Sequence, residues 1–239
     1  MPVPCSFFSS HVLFAWLAIS AIAFTSPVHV HATVIVNGDF ELGNSSFFSD
    51  YIYTPGVQPF PGLGGGQYNI VVNPSPFHFA AGSYGDHTSG SGKMLMVNAD
   101  WNLPNIVVWS QSVAVEKNTT YEFSTWISTW AIAGDLNVSR IDVRINGLSI
   151  GKQTAPSDRG AWEKFSALWN SETSVSANIQ IYEVGREIGF PGGGNDFSLD
   201  DINFYTTSST VPEPSSLVIS YLSLVYLVCA KRLSQPRKR

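Results

Sequence analysis

The segment from Thr120 to Trp130, Thr-Tyr-Glu-Phe-Ser-Thr-Trp-Ile-Ser-Thr-Trp, holds the residues best suited to recognising a ligand. Read as a β-strand, its side chains alternate between two faces. Tyr121, Phe123, Thr125 and Ile127 then share one face, the natural core side. Glu122, Ser124, Trp126, Ser128 and Trp130 share the other. Flat indoles stack on the C–H faces of pyranose rings, and a neighbouring carboxylate or hydroxyl can bond sugar hydroxyls. The stretch Arg140 to Ile145 divides the same way, with Ile141, Val143 and Ile145 inward and Arg140, Asp142 and Arg144 outward. If the two strands are neighbours, Glu122, Trp126, Asp142 and Arg144 share one concave surface. The ligand-binding candidates are therefore Trp126, Trp130, Glu122 and Arg144. A second reading is open: a covering loop turns the two tryptophans into a second small core.

Other chemistry is sparse. Asp86-His87-Thr88 could serve a metal or a sugar hydroxyl, although such groups commonly hydrogen-bond their own loop. No nucleophile elbow, zincin helix, phosphate loop or dinucleotide fingerprint occurs. Between Thr33 and Thr210 the only histidines are His78 and His87, without companion residues for a triad. A glycosidase needs only two well-placed carboxylates, so that class stays open, but the expectation is a protein that is not an enzyme.

These residues must be positioned by strands. Short segments rich in Val, Ile, Tyr, Phe, Trp and Thr recur between clusters of Gly, Asn, Pro and Ser. The strands expected are Val34–Val36, Met94–Asn98, Ile106–Val115, Thr120–Trp130, Arg140–Ile145, Trp162–Trp169, Ala177–Glu183 and Phe197–Phe204. Asn146-Gly147 marks a tight hairpin turn into a further strand from Leu148. No amphipathic helix is evident, so the pattern predicts an all-β, antiparallel β-sandwich. The region from Asn44 to Gly92 differs, being rich in Pro and Gly yet studded with aromatics that should pack over the sandwich.

Both ends read as processing segments. Val12 to Phe24 is almost unbroken apolar sequence, followed by Val30-His31-Ala32, which predicts a signal peptide over 1–32 cleaved before Thr33. Its leading segment has no Lys or Arg, and a buried N-terminal helix is the alternative. At the other end, Pro212-Glu213-Pro214 precedes an apolar run from Leu217 to Ala230 and a basic terminus, Lys231-Arg232 and Arg237 to Arg239. The run is shorter than the roughly 20 residues that span a bilayer, a gap that snorkelling by Lys231 and Arg232 narrows. A basic terminus is held inside by the positive-inside rule. The tail, 211–239, is thus expected to form a membrane helix.

Composition sharpens the division. Both cysteines, Cys5 and Cys229, lie in the end segments, so residues 33–210 have neither disulfide nor thiol chemistry. The same region holds 8 of the 13 basic residues and 17 of the 18 acidic ones, a net charge of −9 against −5 for the chain. Such a surface is a poor match for nucleic acid and a better one for a neutral polysaccharide or a divalent cation.

Two resemblances follow. The tail resembles the PEP-CTERM sorting signal of Gram-negative bacteria, on the strength of Val211 to Pro214 with the apolar run and basic end behind them, although the run lacks the usual glycines. That resemblance implies processing by an exosortase-type membrane protease and a role at the cell surface or in an extracellular exopolysaccharide matrix. Simple retention as a membrane anchor is the alternative. The interior resembles galactose-binding-like jelly rolls, particularly their carbohydrate-binding modules. The segments that carry it are Asn37-Gly38-Asp39-Phe40-Glu41, Gly90 to Val97, Trp109 to Val113, Thr120 to Ser124, Trp162 to Phe165 and Asn195 to Ile202. In those modules the opening Glu and a closing Asp often help hold a structural calcium. The resemblance therefore implies Glu41, Asp200 and Asp201 as metal ligands, with a backbone carbonyl near Lys93. The expected role is non-catalytic binding or organisation of exopolysaccharide. A structural or adhesive envelope protein is the alternative, and a glycan hydrolase a third. Exposed, coplanar Trp126 and Trp130 would favour sugar binding, and buried ones the structural role.

Overall fold

The computed structural model describes residues 33–100, 106–130, 138–184 and 195–207. The expected signal segment and the tail with Pro212, Glu213 and Pro214 lie outside them. Among the described residues there are ten strands: β1 (Ile52–Tyr53), β2 (Gln67–Val71), β3 (Met94–Asn98), β4 (Ile106–Ala114), β5 (Thr120–Thr129), β6 (Arg140–Ile145), β7 (Leu148–Thr154), β8 (Glu163–Asn170), β9 (Ser176–Glu183) and β10 (Phe197–Thr206). No helix occurs among the described residues.

The strands form a larger sheet in the order β1-β2-β3-β10-β5-β8 and a smaller one in the order β4-β9-β6-β7. From β3 onward the chain crosses to the other sheet at each new strand, except at the β6–β7 hairpin. That hairpin turns at Asn146 and Gly147, whose φ values of 51° and 81° suit a tight primed turn. Phe123, Ile127, Phe197, Leu199 and Phe204 from the larger sheet meet Trp109, Ile141, Val143, Ile179 and Ile181 from the smaller one in the main core. The sequence alternation thus does what β-sandwiches require, one apolar face per sheet.

The opening motif is tied to the closing strand. Asn37, in the left-handed region, donates through Nδ2 to Gly43 O and Ser45 O, at 2.9 Å each, and accepts from Leu42 N. Phe40 is fully buried. Gly38 lies against the Ile202 carbonyl so tightly that a Cβ would overlap it, while its own carbonyl accepts from Ile202 N at 2.9 Å. Val34–Val36, expected as a strand, is not one. Val34 N bonds Phe204 O, and the Gln111 amide takes up both the N–H and the C=O of Val36, replacing a strand neighbour.

The Asn44–Gly92 region supplies two strands that the alternation did not reveal, β1 and β2, and then folds over the outer face of the larger sheet. There Leu63, Val71, Met94, Met96 and Trp130 form a second core, with Phe77, Ala81, Tyr84 and Trp162 against it.

Candidate functional site

Cross-strand pairing decides which polar and aromatic groups share the outer face of the larger sheet. Trp126 on β5 sits between Asp200 on β10 and Lys164 on β8, so these three side chains project on the same side. One turn of the covering segment then brings in His87. Its backbone N–H donates to Asp200 Oδ2 at 2.9 Å, and its Nδ1 lies 2.7 Å from Asp201 Oδ2. The imidazole lies nearly parallel to the Trp126 indole, with centroids 3.7 Å apart and planes at 16°. Trp162 stands edge-on to the same imidazole at 6.0 Å.

The bulge in β10 between Asp200 and Asn203 makes this possible. Asp201 takes a φ of 49°, which turns its carboxylate away from the regular alternation and toward His87 and the Thr88 hydroxyl. Asp200, only 1% exposed, accepts from Asp201 N at Oδ1. Burial, with the charges of Asp201 and Asp86, pushes its carboxyl up to about 7, against the pull of N–H bonds from Asp201 and His87. Burial also acts to raise Asp86, but donors from Ser89, Gly92 and Ser91 outweigh it and hold that carboxyl below its ordinary value. Tyr84, half-buried with its ring edge-on to Trp162, has its phenol pushed well up by desolvation, and its hydroxyl lies 2.9 Å from Ser198 Oγ.

Along the sheet from Trp126 the surface stays open. Glu122 lies 3.8 Å from the Lys164 ammonium and pairs across strands with Leu168 on one side and Tyr205 on the other. Burial, then the bond to Glu122, raises the Tyr205 phenol. Trp126 and Tyr205 are half-buried, and Leu168 is exposed.

The sequence candidates therefore separate. Trp126 and Glu122 share the open face. Trp130 does not: it is 0% exposed in the second core, its indole N–H donating to Val97 O at 2.9 Å, so no ligand reaches it in this conformation. The coplanar pair of tryptophans is absent, because the covering segment buries one of them. Arg144 and Asp142 belong to β6, in the opposite sheet, so the expected surface shared with Glu122 and Trp126 does not exist. There Arg144 Nε bonds Asp142 Oδ2 at 2.9 Å and the guanidinium lies 4.2 Å over the Tyr182 ring. His87, Trp162, Tyr84 and Tyr205 join the face. The Asp86-His87-Thr88 motif signalled the first of them, and only long-range pairing reveals the rest.

Glu41, Asp86 and Asp201, with Asp39, line a polar pocket beside this face. Lys93 N donates to Glu41 Oε1 at 2.6 Å and Lys93 Nζ to Glu41 O at 2.8 Å. Asp86, Asp200 and Asp201 likewise face protein N–H and O–H donors. Calcium wants six to eight oxygens turned toward one point. Among the described residues no group of three or more His, Cys, Asp or Glu is placed to hold a metal. Glu41 and Asp201 line this pocket together, with Lys93 bonded to Glu41 and Asp200 bonded to Asp201 N.

The fold and face define a jelly-roll-type β-sandwich with a partly covered outer sheet. No protein-family profile and no curated protein matches the chain. Among solved structures it is similar to Fisc, a Stig cyclase from Fischerella sp. TAU, at 8% identity and a TM-score of 0.49, over 74% of this chain and 98% of that one. It is similar to the CBM22-1 xylan-binding domain of Xyn10C from Paenibacillus barcinonensis, at 13% identity and 0.43, over 72% and 93%. It is also similar to TmCBM61, solved with β-1,4-galactotriose, at 11% and 0.43, over 74% and 99%. One of these is an enzyme and two are sugar-binding modules, and at these values none says what this chain binds.

Proposed function

We propose that this protein is a non-catalytic carbohydrate-binding β-sandwich of the cell envelope, holding exopolysaccharide on the open part of its larger sheet. The observation that carries the reading is the Trp126 indole, pinned flat by His87 and bordered by Glu122, Lys164 and Tyr205. With one face of the indole taken by His87, the reading uses the other: a fixed aromatic plate edged by donors and acceptors is what a pyranose ring needs, and its rigidity lowers the ordering cost of binding. The acidic balance of residues 33–210 suits a neutral glycan. Export through the signal segment, and exosortase recognition of Pro212-Glu213-Pro214 in a membrane-held tail, belong to the same proposal.

A glycan array of the full chain, with and without calcium, beside Trp126→Ala tests it. Binding that disappears in the variant supports the face, whereas binding that survives it removes the face from consideration. Mass spectrometry of the protein from cells tests the ends, with loss of 1–32 and of the tail expected. One observation favours a structural or adhesive role instead: the burial of Trp130, which removes half of the expected aromatic platform. Absence of binding to every glycan would select that role.

A further inference from the structure

The covering segment presents a second aromatic feature that the Trp126 face does not use. Phe60 is 84% exposed and Phe79 65% exposed, with ring centroids 5.2 Å apart and planes at 44°. Their backbone is fixed. Phe79 N donates to Pro61 O at 3.1 Å, Leu63 N to Phe77 O at 2.8 Å, and Gly62 N to Pro59 O at 2.8 Å. Gly62, at φ +107°, lies so close to Phe77 O that a Cβ would overlap it. The rings thus stand on two short chain segments clamped together, and holding two large apolar rings in water on a rigid mount indicates a contact surface. Behind Phe79 the aromatic row continues inward, with His78 at 4.8 Å and then Trp130 at 5.1 Å from His78. Trp130, the residue after the end of β5, lies four residues along the chain from Trp126, roughly 13 Å at strand rise. Both aromatic stations therefore serve the same side of the molecule.

Charge and size select the occupant. From Leu42 to Gly92 the sequence has no Lys or Arg, and its only acidic residues are Asp50 and Asp86. One cation from outside the segment reaches the tip, Arg159, whose guanidinium donates to Ala80 O at 3.3 Å, whereas anionic lipid surfaces are met by clusters of basic residues, so this tip is not built for them. Two phenyl side chains offer on the order of 300–500 Å², well short of the roughly 800 Å² per partner of a stable protein interface. The area suits one or two sugar rings. We infer that Phe60 and Phe79 form a second subsite that stacks on the apolar face of a neutral glycan, engaging a chain long enough to reach beyond Trp126. The inference rests on the proposed carbohydrate-binding role and adds a length dependence to it.

The test is isothermal titration of the full chain, purified in mild detergent, with soluble arabinoxylan, galactan and mixed-linkage glucan and with their disaccharides. The variants are Phe60→Ala/Phe79→Ala, Phe60→Trp/Phe79→Trp and Trp126→Ala. Both phenylalanines are exposed, so the double alanine variant should keep the wild-type melting temperature. Its affinity for a polymer should fall about tenfold, the scale of one lost stacking contact. Affinity for the disaccharide should stay unchanged, and the tryptophan variant should retain polymer binding. Polymer binding that is lost with Trp126→Ala but indifferent to Phe60 and Phe79 overturns the second subsite and leaves the first. Loss of polymer binding in the phenylalanine variant alone supports the subsite and overturns the Trp126 face. Binding to zwitterionic vesicles, or a dimer in sedimentation, that the double alanine variant abolishes assigns the rings to lipid or to a second copy and overturns the inference. No binding of the wild type to any probe overturns both readings.

Discussion

The His87 imidazole covers the Trp126 indole at 3.7 Å, held there by the Asp201 carboxylate and by an N–H bond to Asp200. Replacing His87 by Ala frees the indole and leaves Asp201 with the Thr88 hydroxyl as its remaining side-chain partner in this cluster. We expect His87→Ala to weaken glycan binding about tenfold with a stability loss of about 1–2 kcal/mol. Titration calorimetry beside chemical denaturation separates the two effects, and unchanged affinity would show that the stack does not orient the plate.

Trp126 on β5 and Trp130 just beyond its end should behave differently. Trp130→Ala empties the centre of the second core and removes the indole N–H bond to the Val97 carbonyl, with an expected cost of about 3–5 kcal/mol. Trp126→Ala removes a half-buried ring and should cost clearly less while abolishing glycan binding. Urea denaturation of both variants checks this order, and equal destabilisation would contradict it.

Asp200 sets a pH dependence. Its folded-state value of about 7 stands above the ordinary 3.8, so the native state holds the proton more tightly than the unfolded chain. The stability it contributes is present in full below about pH 4 and is lost as pH rises toward 7. Asp200→Asn removes this term. The melting temperature of the variant relative to wild type should therefore rise from about pH 4 to about pH 8. A constant difference across that range would show that Asp200 is not held protonated.

Gly38 has no room for a side chain against Ile202 O. Gly38→Ala must push the opening segment off β10, breaking the bond from Ile202 N to Gly38 O, and should destabilise by about 2–4 kcal/mol. Thermal unfolding reads this directly, and a loss below about 0.5 kcal/mol would mean that the segment moves aside freely.

Arg144 lies on the other sheet, paired with Asp142 and stacked over Tyr182. Arg144→Ala should leave glycan affinity unchanged while costing stability, since it leaves the Asp142 carboxylate, only 2% exposed, with the Ser149 hydroxyl on its other oxygen. A drop in affinity without a drop in stability would return Arg144 to the binding site.

Much of the framework was legible in the residues themselves. Met94–Asn98 occurs with the expected bounds because a short unbroken apolar run between turn residues marks a buried strand, Arg140–Ile145 because strict alternation over a short run has one solution, and the Asn146-Gly147 turn follows from backbone sterics alone. β1 and β2 were missed because two residues, Ile52–Tyr53, carry no period, and because the short run Gln67–Val71 stands in a stretch whose Pro and Gly read as loop. The site depended on information that alternation lacks. Inward and outward faces of β5 and β6 read identically in sequence, yet the crossing of the chain sends their outer faces to opposite sides of the molecule, which parts Arg144 from Trp126. Trp126 and Trp130 have the same parity, and only the tertiary packing of Leu63, Phe77 and Tyr84 over one end of β5 buries the second and leaves the first half-open. His87 reaches Trp126 through a bulge at Asp201, which breaks the period-two rule on which the sequence reading rests. Sequence alone determines which faces are apolar. What covers each face, and which polar groups meet across it, is decided by contacts between residues more than a hundred positions apart, such as His87 and Asp201.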